Sequence, residues 1–121
     1  MSKDIIHLKI PRKADYISLV RLTSSSIAYN LNMNIDEIED IKVCIGEACN
    51  NSLNLSDKKY ISITFEVDNE KIIIDVDGVI EDIPEELDEN NERELGLLII
   101  RTLMDSVEYN DIGIRMTKYI E

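Results

Sequence analysis

The sequence predicts a two-layer α/β sandwich of the α+β kind, with a mixed, mostly antiparallel sheet and three helices on one face. Three observations predict it. Every second residue is apolar from Ile61 to Val67 and again from Ile72 to Val76, with a turn at Asp68-Asn69-Glu70 between them, the pattern of a half-buried hairpin. Three longer segments carry helical spacing. The strands come in hairpins and do not alternate strictly with helices, as a doubly wound parallel sheet requires.

Residues 4–10 read as a strand ended by Pro11. Residues 14–32 read as a helix whose apolar face holds Ile17, Val20, Ile27 and Leu31, and the Asn-Met-Asn stretch around Met33 ends it. Asp36 is the expected N-cap of a second helix reaching about Leu53, with Glu39 completing a capping box. In the hairpin, Ile61, Ile63, Phe65 and Val67 face one way, as do Ile72, Ile74 and Val76. An acidic segment, Glu81 to Glu94, follows. Residues 95–105 read as a third, apolar helix. Two strands, SVEYN and IGIRMTKYI, joined at Asn110-Asp111, complete the chain.

All 121 residues fit one domain, 1–121, with a single core. With no Trp and one Phe, Ile, Leu and Val must build that core. Twenty-five acids against 13 bases give a net charge of -12, which argues against direct nucleic-acid binding, since phosphates need a basic field. A partner with basic patches fits better, although acidity also serves solubility alone. Cys44 and Cys49, five apart on one helix, cannot bridge each other there. Free thiols, no signal peptide and no membrane-length apolar run lead us to expect a cytoplasmic protein without a membrane partner. The single His7 alternates within a strand, a structural position that supports neither a zinc pattern nor a Ser-His-Asp triad.

The most informative stretch is IKVCIGEACNNS, Ile41 to Ser52. At about 100° per residue, Ile38, Ile41, Ile45, Ala48 and Ser52 share one side of the helix, and Asp40, Cys44, Glu47 and Asn51 share the other. Glu47 and Asn51 stand one turn apart. They offer an acid-base carboxylate and a neutral oxygen donor to one small volume that could hold magnesium and a phosphate tail. An ordinary solvated helix face carries such pairs too.

Three segments in the right order, IEDIKVCIGEACNNSL, LGLLIIRTLMDSVEY and IRMTKYI, resemble the anti-sigma-factor serine kinases of the GHKL (histidine-kinase-like) ATPase superfamily. RLTSSSIA resembles that family's first helix, which contributes to dimerisation. The resemblance implies a histidine-kinase-like ATPase fold and a homodimer that binds ATP and Mg2+. It also implies two partners: a sigma factor, held away from RNA polymerase, and an anti-anti-sigma antagonist phosphorylated on serine. Residue by residue, Glu47 falls on the family's catalytic base and Asn51 on its magnesium ligand. Asp77 falls nearest the adenine contact, with Gly78 adjoining it; Arg93 and Gly96 fall on the lid and phosphate contacts.

The glycine motifs are degenerate. Asp77 and Gly78 adjoin directly where the family separates Asp and Gly by one residue, and the pair equally fits a turn closing a strand. Glu94 replaces the first lid glycine, a carboxylate where phosphate is expected. Gly96 also fits a tightly packed helix start. The acidic run reads as a solvated loop, with partner docking as the second reading. These departures leave an alternative to the kinase: a non-catalytic partner-binding module on the same fold that has lost effective ATP binding.

Overall fold

The computed structural model describes residues 3–121. Strand β1 (Asp4–Pro11) passes through a 3-10 turn (Ala14–Tyr16) into helix α1 (Ile17–Asn30), then α2 (Ile35–Leu55). Strands β2 (Tyr60–Val67) and β3 (Lys71–Asp77) form the predicted hairpin. A 3-10 turn (Glu85–Leu87), α3 (Glu92–Leu103), β4 (Ser106–Tyr109) and β5 (Gly113–Tyr119) follow. The five strands lie in the order β1-β2-β3-β5-β4. Every neighbouring pair is antiparallel, so the sheet, expected to be mixed, has no parallel pair among the described residues.

The alternation read in the hairpin fixes which face is buried. Ile61, Ile63, Phe65 and Val67 on β2 and Ile72, Ile74 and Val76 on β3 are all buried. They meet Val20 of α1, Ile41 and Ile45 of α2 and Ile100 of α3, with Ile114 and Met116 extending the layer along β5. Burying each such side chain contributes about 1.5–3 kcal/mol, so branched aliphatics build the core with one Phe. His7 is exposed on β1, its Nδ1 3.2 Å from Thr64 Oγ1 on β2.

Several boundaries differ from the sequence expectation for local reasons. The first helical segment splits: residues 14–16 wind as a 3-10 turn, and the α-helix stops before Leu31, with Asn32 left-handed at φ 61°. The N-cap of α2 is Asn34, not Asp36. Asn34 Oδ1 accepts from the Glu37 N–H and Glu37 Oε1 accepts from the Asn34 N–H, both at 2.8 Å. This capping box sits two residues before the expected pair and draws Glu37 into burial, where its Oε2 accepts from the Glu121 N–H at 3.2 Å. Helix α3 starts three residues before the expected Leu95, and the last strand begins at Gly113 because Asn110 Oδ1 gathers the Ile112 and Gly113 N–H groups into the turn.

Helix α2 packs against both α1 and α3. Its polar side is therefore not a solvated face: Cys44 and Asn51 are as buried as Ile41 and Ile45, and Glu47 and Asp40 are half-buried. The third helix covers what periodicity alone leaves open to water.

Candidate functional site

The site is built on the last three turns of α2, the chain leaving β3 and the start of α3. Asn51 is 1 % exposed. Its Nδ2 donates to Ile80 O at 3.3 Å and its Oδ1 accepts from the Ile80 N–H at 3.2 Å. The side-chain amide thus acts as one rung of backbone pairing and ties the segment after β3 to the helix. Between them, Gly78 takes φ +76°, a left-handed conformation that a side chain rarely adopts. A Cβ there would lie 2.6 Å from Ser52 Oγ, so the β3 exit crosses α2 at the contact limit.

Glu47, one turn before Asn51, points at α3. A Cβ on Gly96 would stand 2.5 Å from Glu47 Oε2 and 3.4 Å from its Cδ. Gly96 is buried and lets the carboxylate lie against the second turn of α3. Two predicted residues far apart in sequence therefore touch.

Asp77 and Gly78 part company. Asp77 Oδ1 accepts from the Ser62 N–H at 2.9 Å, one position past the last paired residues, Ile63 and Val76. Asp77 lines a 270 Å3 cleft with Thr64, Asp75 and Arg115. Gly78 lines a wider cavity, 880 Å3, with Leu55, Lys58, Val79, Tyr109 and Ile112. That volume suits a nucleotide-sized ligand. The Tyr109 hydroxyl is buried at its edge without a hydrogen-bond partner. Burial, and then the nearby Glu81 carboxylate, push its pKa up.

Arg93 enters the site through its backbone. Asp88 Oδ1 accepts from the Arg93 N–H at 2.9 Å and Asp88 Oδ2 from the Glu94 N–H at 3.0 Å. Desolvation works against the Asp88 charge, but the N–H groups of Arg93 and Glu94 outweigh it and hold the carboxyl below the usual range. Asn91, left-handed at φ 59°, makes the bend that allows this. Asp88 is why α3 starts early: its carboxylate pairs donors that would otherwise be unpaired.

Two more contributors were not singled out in the sequence. Arg12, just past β1, donates from Nη1 to Ser52 O and Oγ, from Nη2 to Tyr60 O and from Nε to Lys58 O. A cation at the C-terminal end of α2 also complements the helix dipole. Ser52, fully buried, receives it. The sequence signal was slight: a lone Arg after the strand-ending Pro11. Cys44 and Cys49 are free and buried, and burial pushes both thiols up to about 12, which makes them inert.

The family model for the histidine kinase-like ATPase domain matches residues 10–118. The chain belongs to this family. It is also similar over nearly its whole length to proteins named serine-protein kinase RsbW. Identity is 31% to that of Bacillus subtilis, covering 97% of this chain and 86% of the relative. For Bacillus cereus it is 35%, covering 96% and 85%, and for Staphylococcus aureus 36%, covering 98% and 89%. The alignments span 138, 136 and 141 positions, more than the 121 residues of this chain, so the relatives carry segments that it lacks. The fold expected from the resemblance and the kinship to serine kinases are thereby shown. Among the described residues, no helix is long and apolar enough to cross a membrane.

Proposed function

We propose that the chain is an anti-sigma regulatory factor. It binds and inhibits a sigma factor and, using ATP, phosphorylates a serine of an anti-anti-sigma antagonist. The observation that carries this reading is the placement of half-buried Glu47 one turn before Asn51, with Gly96 opened against its carboxylate, in a chain similar over nearly its whole length to serine-protein kinases.

The residues fit the cofactors that this activity needs. No group of three or more His, Cys, Asp or Glu among the described residues is arranged to hold a metal, and Mg2+ needs none. It takes one or two protein oxygens and fills its shell with phosphates and waters. Asn51 Oδ1 accepts one hydrogen bond, from the Ile80 N–H, and would offer its second lone pair to Mg2+ only once the Ile80 segment uncovers it, since the side chain is buried. Magnesium supplies charge neutralisation for the phosphates. Glu47 takes the proton from the serine hydroxyl as its oxygen bonds to the γ-phosphorus and the bond to the departing ADP oxygen breaks. Arg93 and the α3 start bearing Gly96 would hold the phosphates. Gly78, which lines the 880 Å3 cavity, admits the base beside α2, and Asp77, which lines the separate 270 Å3 cleft, makes no contact with a base held there.

The same reading makes the protein a cytoplasmic homodimer. Leu19, Leu22 and Tyr29 leave the core that Ile17, Val20 and Ala28 of α1 serve, and stand 47%, 66% and 73% exposed. They give α1 an outward apolar stripe for a second copy.

Calorimetric titration of Mg-ATP, repeated on Glu47→Ala and Asn51→Ala, tests the kinase. Binding lost in Asn51→Ala and antagonist phosphorylation lost in Glu47→Ala are expected. No binding by the wild type at millimolar nucleotide would sink the kinase and leave the partner-binding module. Capture of a sigma factor tests the part common to both.

A further inference from the structure

The negative charge of the chain is not spread evenly. Five of its 13 bases, Lys9, Arg12, Lys13, Lys58 and Lys59, fall in two short stretches, 9–13 and 58–60, that contain no acid. The fold brings the two together, because Pro11 at the end of β1 pairs with Tyr60 at the start of β2. Lys9 Nζ stands 4.8 Å and Lys59 Nζ 6.0 Å from the centre of the Tyr60 ring, both within cation–π range. Arg12 fixes the corner: its backbone N–H bonds Lys59 O at 3.1 Å and its Nη2 bonds Tyr60 O at 2.8 Å. All the hydrogen bonds of its guanidinium go to neutral oxygens. The four lysines and Tyr60 are exposed. Among the described residues, Lys3, Lys42, Arg115 and Lys118 each meet a carboxylate, and none of the four lysines here does. Asp15 and Asp57 flank the stretches in sequence without pairing with them. Acids outnumber bases 25 to 13 in this chain, yet here cations gather without a carboxylate and repel one another. A complementary anion offsets that repulsion.

We propose that this corner is a docking surface for an acidic segment of a protein partner, whose carboxylates meet the four lysines around the Tyr60 ring. The surface does not rest on the kinase reading. Lys9, Lys13 and Lys59 lie outside the lining of the 880 Å3 cavity, and only Lys58 reaches its rim. The same rim favours a short protein segment over nucleic acid. It carries Asp57, Glu81, Asp82 and Asp111, so a long polyanion leaving the lysines in that direction runs into carboxylates. The corner also reverses what the net charge alone suggests: the chain as a whole suits a basic partner, and this end of the sheet suits an acidic one.

The probe is a short fluorescent peptide of alternating Glu and Ser, followed by anisotropy at low salt. The wild type should bind it, and should bind it less well as salt is added. Lys9→Gln with Lys59→Gln should weaken binding about fivefold or more. Lys42→Gln with Lys71→Gln is the charge control. It deletes two positive charges as well, and Lys71 also stands beside an aromatic ring, that of Tyr119, at the other end of the sheet. The control should stay within about twofold of the wild type. No binding of the Glu peptide, or equal weakening in the two double variants, overturns the proposal. Tighter binding of an oligothymidylate or of phosphatidylserine vesicles, lost in Lys9→Gln with Lys59→Gln, also overturns it, because the corner is then a nucleic-acid or membrane surface. Calorimetry with Mg-ATP on the same variant keeps the two readings apart. Nucleotide binding equal to that of the wild type, with peptide binding lost, supports the surface. Loss of both together assigns the lysines to the nucleotide and overturns it.

Discussion

The two halves of the site are made differently. On α2, residues 47–52 sit between two other helices: Asn51 and Ser52 are buried and paired, and Gly78 is pressed against them. The 81–94 segment is mostly exposed and crowded with acids, and Asp88 is its main tie to α3. The two side chains proposed to carry the chemistry thus stand on the well-packed element, and the segment leading into the proposed phosphate contacts is the weakly held one.

Variants on each half sharpen that contrast. The largest effect falls on activity: Glu47→Ala should lower the rate of antagonist phosphorylation about 100-fold or more and leave the melting curve nearly unchanged. A large loss of stability would show that Glu47 is a packing residue of the α2–α3 contact. Next comes Asn51→Ala, which strands the Ile80 N–H and C=O and should cost about 1–3 kcal/mol in urea unfolding. Asn51→Asp should do no better, because it keeps an acceptor for the N–H but sets an oxygen against Ile80 O. Gly78→Ala forces a side chain into a left-handed backbone beside Ser52, a cost of about 1–2 kcal/mol on the same curves. An unfolding midpoint equal to that of the wild type would mean that the β3 exit relaxes freely.

The smallest effect is the pH response of the weaker half. The Asp88 carboxyl is lowered in the folded state, so its cap is fully present above the ordinary aspartate pKa and is lost as pH falls through the lowered value. The Arg93 and Glu94 amide signals should therefore move together below the usual carboxylate range, while Ile80, held by a non-titrating amide, stays still. Movement of all three at one pH would signal global unfolding and erase the contrast.

The sequence made the well-packed half legible. Alternation in β2 and β3 identified the buried face, and the spacing of Glu47 and Asn51 placed them on one side of a helix. What it hid was the third dimension of that helix. Period alone cannot say that α3 lies against Glu47 and the chain leaving β3 against Asn51, so a buried face reads as solvated. The capping boxes Asn34–Glu37 and Asp36–Glu39 are equally good on paper, and the extended backbone at Asn34 and the approach of residue 121 to Glu37 both fall on the first. In the acidic run every carboxylate looks alike. Asp88 becomes distinct through the left-handed turn at Asn91, which non-glycine residues seldom adopt and no spacing rule announces. Asp77-Gly78 was legible as a pair, but not the divergence that sends one residue to each of two clefts.

Arg12 carries a consequence for the order of folding. One guanidinium collects carbonyls from residues 52, 58 and 60, each 40 or more positions along the chain. None of those contacts can form until α2 has wound and β2 has found β1, so the closure entropy of a long loop precedes any return from them. The clamp therefore belongs to the native side of the folding barrier: it governs how slowly the assembled domain comes apart and leaves the speed of its assembly largely untouched.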